Sequence, residues 1–285
     1  MSKKATVLFE NDGLILSKVG PWAIAKHEKI SYFSSLFAKS MKKKWDCRLY
    51  IDLYAGAGKC QVEGTDKIIL GSPLLALNID SPFDKYVFCE EDPGLLDALK
   101  TRVRRYFPDK DCTFVEGDAN RSLDQLFKII PKFSSKFKGL TLCLVDPYRT
   151  ADLSFHTLEM IANTVFTDFL ILIPSFMDIN RNERYYISED NHIVDNFLGS
   201  ADWRIAWADP LRPPRAFGVF IAEQFCKRME GIGYKNESLE GLELIEMGTR
   251  QNLPLYYLCA FSKNPLGQRF WKETKKGTNR QLKLW

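Results

Sequence analysis

None of the seven cysteines (Cys47, Cys60, Cys89, Cys112, Cys143, Cys226 and Cys259) stands in a Cys-x-x-Cys pair, so a zinc ribbon or dithiol redox motif lacks its parts. Cys89 and Cys143 sit inside apolar runs and read as buried, reduced thiols. Only three histidines occur, His27, His156 and His192. The last two have no acidic or histidine partner at ligand spacing, so no metal site is expected. No apolar run reaches membrane length, the longest candidate, Phe169–Ile173, being strand-sized. With no signal-peptide pattern, the expectation is a cytoplasmic chain without disulfides and without a membrane partner. Strong charge is lacking too: a formal +4 allows a polyanion partner without arguing for one. Repeats, low-complexity blocks and a clear linker are likewise absent.

What is present is a core-forming chain of 285 residues, 45% of them hydrophobic. Short apolar runs alternate with amphipathic stretches over the first 175 or so residues. The runs are Arg48–Leu53, Lys85–Glu90, Cys112–Val115, Leu140–Val145 and Phe169–Ile173. They show no in/out alternation, which suits strands covered on both faces. Between them Leu95, Leu96, Leu99, Val103 and Tyr106 share one helical face, as do Leu123, Leu126, Phe127 and Ile130, and Leu158, Ile161, Ala162 and Val165. Such βαβα order predicts an α/β fold with a mostly parallel, doubly wound sheet.

A helix is expected over Trp22–Met41. Residues 181–230 read as a helical insertion, with helices at Glu183–Leu198 and Arg215–Glu230 separated by the Pro-rich Asp209–Arg215. Leu242–Met247 and Leu255–Phe261 read as a terminal antiparallel pair, divided by a turn opening with Gly248–Asn252. Pro254 is placed just outside the second run, where its missing N–H does no harm. A last helix is expected from Pro265 to about Lys275, in a basic C-terminal segment, 264–285.

The ends of the apolar runs carry the chemistry. The first ends at Asp52 and leads into Tyr54, Gly56 and Gly58, a turn whose missing Cβ atoms let a ligand approach the backbone. The second ends at Glu90, where a carboxylate can accept both hydroxyls of a ribose. The third leads into Asp118 and Ala119, a carboxylate for an adenine amine beside a side chain small enough for a flat ring. The fourth ends at Asp146-Pro147-Tyr148, where proline locks φ. A nicotinamide fingerprint would need a third glycine, and Gln61 stands in its place. The following helix is expected to open with Ser72 as N-cap and Pro73 in its first turn.

This series resembles the class I S-adenosylmethionine (SAM) dependent methyltransferases. The resemblance implies a Rossmann-like sheet of seven strands with a terminal antiparallel strand, in a single methyltransferase-like domain. It implies SAM as cofactor, with Asp52, Tyr54, Gly56 and Gly58 around its methionine part, Glu90 on the ribose and Asp118 and Ala119 at the adenine. His27 is a candidate for the same pocket. Asp146-Pro147-Tyr148 resembles the Asn/Asp-Pro-Pro-Tyr signature of enzymes that methylate planar amines, without the second proline. There a backbone carbonyl and the acid accept the amine hydrogens while the aromatic ring stacks. These three are the candidate catalytic residues.

More closely, the chain resembles the three-Cys-motif partner proteins, which are encoded beside a separate protein carrying a three-cysteine motif. The likeness rests on Lys26-His27 with Tyr32, Asp52–Gly56, Gly71-Ser72-Pro73, Asp146-Pro147-Tyr148, Asn180-Arg181-Asn182, Leu255–Leu258 and Phe261-Ser262-Lys263. Arg149 stands where the likeness implies glycine. That neighbour-encoded protein is thereby an expected partner, and a non-catalytic scaffold of it an alternative to an enzyme. Nucleic acid is the other candidate partner, and a nucleic-acid-binding module the other alternative to an enzyme. Lys263, Arg269, Lys272, Lys275, Lys276, Arg280 and Lys283 crowd Phe270, Trp271 and Trp285, and Lys39, Lys42, Lys43, Lys44 and Arg48 border Trp45. Basic groups interleaved with aromatics suit phosphates and stacked bases; they equally suit solvated helix ends. Arg181 is expected at the active cleft.

Overall fold

The computed structural model describes residues 8–235, 241–247 and 253–281, with side chains up to residue 276. The Gly248–Asn252 turn, Lys283 and Trp285 lie outside the described residues. The strands are β1 (Ser17–Val19), β2 (Cys47–Asp52), β3 (Lys59–Val62), β4 (Ile68–Leu70), β5 (Lys85–Glu90), β6 (Cys112–Glu116), β7 (Gly139–Val145), β8 (Thr167–Ile173), β9 (Glu243–Met247) and β10 (Leu253–Phe261). The helices are α1 (Ala23–Met41), α2 (Ser72–Leu77), α3 (Pro93–Tyr106), α4 (Leu123–Ile129), α5 (Phe155–Thr164), α6 (Glu183–Tyr186), α7 (Ile193–Leu198), α8 (Trp203–Ala208), α9 (Phe217–Gly231) and α10 (Pro265–Gln281).

Seven strands form one sheet in the order β6-β5-β2-β7-β8-β10-β9. β2 runs parallel to β5 and β7, and β5 parallel to β6. β10 is antiparallel to β8 and β9. Every residue of β2, β7 and β8 is buried, which is why their sequences run apolar without alternation. By its internal contacts the chain divides into two compact units, one up to Leu144 together with the chain from Glu273, the other Val145–Lys272.

In the first unit, Arg48 is a buried exception on β2. It is satisfied by Asp84 at 2.9 Å, the Ala38 carbonyl at 2.7 Å and the Pro82 carbonyl at 2.8 Å. α3 starts on Asp92, whose Oδ1 accepts the Leu95 N–H at 2.9 Å, with Pro93 in the first turn.

Several expectations need correction. In sequence, Lys59–Leu70 is a polar stretch ahead of the next helix. It forms β3 and β4, which join β1 in a separate three-stranded sheet. α2 is capped by Gly71 rather than Ser72, which is already helical and buried. The expected Glu183–Leu198 helix is broken into α6 and α7. The Arg204 guanidinium holds the carbonyls of Ile187, Ser188 and Asn191 in the gap, so those groups find partners outside a helix. α8 was not anticipated. Pro254 lies inside β10, at a register shift between Pro254 and Tyr256, where a bulge tolerates a residue without N–H. α10 continues past Lys275 to Gln281. His192 does have an acidic partner, Asp195, at 2.8 Å.

The second unit carries a buried acid that should govern its pH response. Asp168 on β8 is 5% exposed, and Ser262 donates to its Oδ1 at 2.7 Å. Burial outweighs that bond and pushes its pKa up to about 7. A carboxyl with a raised folded-state pKa favours folding fully below its unfolded value near 3.8, and the benefit is lost as pH climbs through about 7. Asp168→Asn removes that loss. The variant should gain on wild type between pH 5 and pH 8 by an amount on the order of a few kcal/mol. Thermal melts at the two pH values check this; a gap independent of pH contradicts it.

Candidate functional site

The site of the first unit begins where β2 ends. Asp52 stands level with Phe88 of β5 and Leu144 of β7, and Glu90 level with Glu116 of β6. Parallel pairing therefore delivers Asp52, Glu90 and the segment leading to Asp118 to the same edge of the sheet.

The backbone between Asp52 and β3 folds back on these strand ends. The Ala55 N–H donates to the Cys89 carbonyl at 2.8 Å, and the Gly56 N–H to Glu90 Oε2 at 2.7 Å. Glu90 Oε1 accepts the Asp92 N–H at 2.9 Å. One half-exposed carboxylate thus bridges the glycine turn and the start of α3. Each of its oxygens keeps acceptor capacity for a further donor, which fits the diol of a ribose. Gly56 and Gly58 both adopt left-handed backbone, φ +61° and +81°, a conformation that costs other residues about 1–2 kcal/mol. At Gly58 space is tight as well. An added Cβ would lie 2.7 Å from Leu99 Cδ1 and 3.2 Å from Leu74 Cγ.

The other candidates differ in setting. Asp52 is fully buried, and its Oδ1 accepts the Tyr54 N–H at 3.3 Å, so it supports the turn from beneath rather than lining its rim. Tyr54 is half-buried. Asp118 is half-exposed and closes a local turn, accepting the Asn120 N–H at 2.8 Å and the Asn120 amide at 3.0 Å. Ala119 beside it is 6% exposed. Burial, then the charges of Asp52 and Glu90, pushes the Cys89 thiol far above its usual range, leaving an inert apolar floor. His27 is buried on α1, which packs against α2.

Four further residues, not singled out in the sequence, hold this site together. The Arg102 guanidinium is completely buried. It donates to the Ala57 carbonyl at 2.7 Å, between the two glycines, and to the Ile15 carbonyl at 2.8 Å. Its other nitrogens grip Asp12 at 2.7 and 2.9 Å. Lys59, fully buried, reaches Asp12 at 3.2 Å and the Glu10 carbonyl at 2.9 Å. Burial alone would raise the Asp12 carboxyl, but hydrogen bonds and charge from Arg102 and Lys59 outweigh it and hold the group well below the carboxylate range. Ser17 completes the clamp by accepting the Ala57 N–H at 3.1 Å. One signal was legible. Arg102 falls three residues after Leu99 and four before Tyr106, on the apolar face of α3, where a cation demands a partner.

In the second unit, Asp146-Pro147-Tyr148 follows β7 directly. Tyr148 is 77% exposed and Asp146 half-buried. Tyr256 of β10 is buried, and burial followed by the charge of Asp146 raises its hydroxyl. The Arg149 guanidinium folds onto Asp152 Oδ1 at 2.9 Å, and the Arg149 N–H donates to Asp152 Oδ2 at 2.9 Å across the 3-10 turn Thr150–Asp152. Arg181 is exposed. Among the described residues no cluster of metal-ligating side chains occurs, and no helix is long and apolar enough to cross a membrane.

No family model and no curated protein matches the chain. Solved structures do. A Legionella pneumophila protein of family DUF519 is 13% identical, covering 87% of this chain and 90% of that one, at a TM-score of 0.50. A putative O-methyltransferase from Klebsiella pneumoniae is 12% identical over 82% of this chain and 80% of its own, at 0.42. Trm1 from Pyrococcus horikoshii, solved in complex with S-adenosyl-L-methionine, is 10% identical over 88% of this chain and 57% of its own, at 0.45. At such identities the likeness is one of fold alone, an α/β fold with a mostly parallel seven-stranded sheet.

Proposed function

We propose that the chain is a SAM-dependent methyltransferase of the three-Cys-motif partner type, acting on a planar amine of an RNA or DNA base. The observation that carries the cofactor reading is the 2.7 Å bond from the Gly56 N–H to Glu90. It makes one site of the glycine turn and the acid after β5, and the half-exposed carboxylate supplies what a ribose diol needs. When bound, SAM supplies an electrophilic methyl group on a sulfonium, transferred by in-line displacement. The chain's own work is alignment and exclusion of water. Glu90 accepts the ribose hydroxyls, Asp118 accepts the adenine amine and Ala119 leaves space for the ring. Asp52 and Arg102 hold the turn from behind.

On the acceptor side, the Asp146 carbonyl and carboxylate take the amine hydrogens, and the exposed Tyr148 ring offers a stacking face. A base buried in a duplex must be flipped out to reach them. Exposed Arg269, Lys272 and Lys276 on α10 suit contacts to a phosphate backbone. Burial of Cys47, Cys60, Cys89, Cys143, Cys226 and Cys259 suits a reducing cytoplasm.

Titration calorimetry tests the cofactor reading. Wild type should release heat with SAM, and Glu90→Ala should bind about 10–100-fold more weakly, the cost of losing hydrogen bonds to a charged group. Circular dichroism should show the variant folded. No heat from folded wild type contradicts the proposal. Tritiated-methyl transfer into total nucleic acid and into the three-cysteine protein separates an enzyme from a scaffold: heat without transfer favours the scaffold.

A further inference from the structure

The residues after Tyr148 are held by a carboxylate that the methyl-transfer reading leaves unassigned. Asp178 lies in a π-helical turn, Ser175–Ile179, just past β8, and is 8% exposed. Its Oδ2 accepts the Thr150 N–H at 2.7 Å and the Thr150 hydroxyl at 2.5 Å. Its Oδ1 accepts the Asn182 amide at 2.8 Å and the Tyr186 hydroxyl at 2.8 Å. Those donors fill the roughly four acceptor positions of a carboxylate.

The turn that carries Asp178 is itself fixed. α9 packs on it through Gly218, where a Cβ would lie 2.0 Å from the Ser175 carbonyl oxygen, and the Gly218 N–H donates to Asn180 Oδ1 at 3.3 Å. π-turns interrupt regular structure at a cost and recur at functional sites. Thr150, fully buried, ends the segment that begins after Val145 of β7. Only residues 146–149 lie between the strand and that anchor, and Pro147 removes one of their torsions. Asn182 and Tyr186 come from the insertion, so one carboxylate ties the insertion to the loop.

We propose that Asp178 is the positioning residue for the Asp146-Pro147-Tyr148 loop, holding it in register with the Asn182–Tyr186 segment. The inference rests on the methyl-transfer reading of that loop. Asp178 touches neither cofactor nor acceptor; it sets where Asp146 and Tyr148 stand.

The test uses the full chain, SAM and total RNA and DNA as acceptor probe. In Asp178→Asn, SAM binding heat should be unchanged and the half-saturating nucleic-acid concentration should move little. The single-turnover methyl-transfer rate should fall on the order of 10²-fold, the effect of misplacing a reacting group by about an ångström. Hydrogen exchange of residues 146–152 should rise about tenfold or more while the sheet strands stay protected. Thr150→Ser keeps both donors and should behave as wild type. Thr150→Val and Tyr186→Phe each delete one donor, should fall between, and carry the test should Asp178→Asn fail to fold. Unchanged exchange in 146–152, or a rate that follows only the melting temperature across the set, overturns the role of Asp178. A wild type that binds no SAM removes the underlying reading instead.

Discussion

Replacing Arg102 with methionine should lower the unfolding free energy by about 3 kcal/mol, the lower end of the cost of removing one partner from a buried ion pair, because Lys59 still faces Asp12 at 3.2 Å. The side chain of Asp12 is 4% exposed and that of Arg102 is 0% exposed, so water cannot take over. Methionine fills much of the volume, and the loss is therefore electrostatic. It strips donors from Asp12 and from the Ile15 and Ala57 carbonyls. The pH response should change with it. The depressed Asp12 carboxyl stabilises the fold above its unfolded pKa of about 4 and loses that contribution as pH falls below it. Acid denaturation of wild type should therefore be steeper below about pH 4 than that of the variant. Urea titrations at pH 7 and pH 3 measure both effects. A variant within 1 kcal/mol of wild type at pH 7 contradicts the clamp.

Gly58→Ala should cost about 2–5 kcal/mol, from left-handed backbone strain of about 1–2 and overpacking of about 1–3. Leu74 and Leu99, which face the added methyl, are both 0% exposed and cannot swing into solvent. Gly64 provides the control. It has φ +73° with nothing within 4 Å of an added Cβ, so Gly64→Ala should lose only the backbone part. Equal losses at the two positions would show that packing against Leu74 and Leu99 adds nothing. Because Gly58 closes the turn that Glu90 and Arg102 hold, SAM binding should fail in the Gly58 variant and survive in the Gly64 variant.

The parallel strands were legible because burial on both faces leaves uninterrupted apolar runs; Lys85–Glu90 was placed with its observed ends. The placement of Asp52 and Glu90 at the ends of β2 and β5 was legible for the same reason, since each stands where an apolar run stops. What was hidden depended on contacts far apart in the chain. Lys59 opens a polar stretch in sequence, yet it is a buried strand residue because Asp12 neutralises it. Arg102 and Asp12 are 90 residues apart, and no local pattern joins them. Asp178 looks like an ordinary loop acid until Thr150, 28 residues earlier, is seen to donate to it twice. The break between α6 and α7 has no glycine or proline, and is set by the reach of Arg204.

A crystal structure grown with SAM measures the central claim most directly. The ribose hydroxyls should lie within hydrogen-bond distance of Glu90, with the adenine against Ala119 and Asp118 and the methionine part over Gly56. Clear density for the cofactor elsewhere, or a crevice that stays empty at saturating SAM, would contradict it.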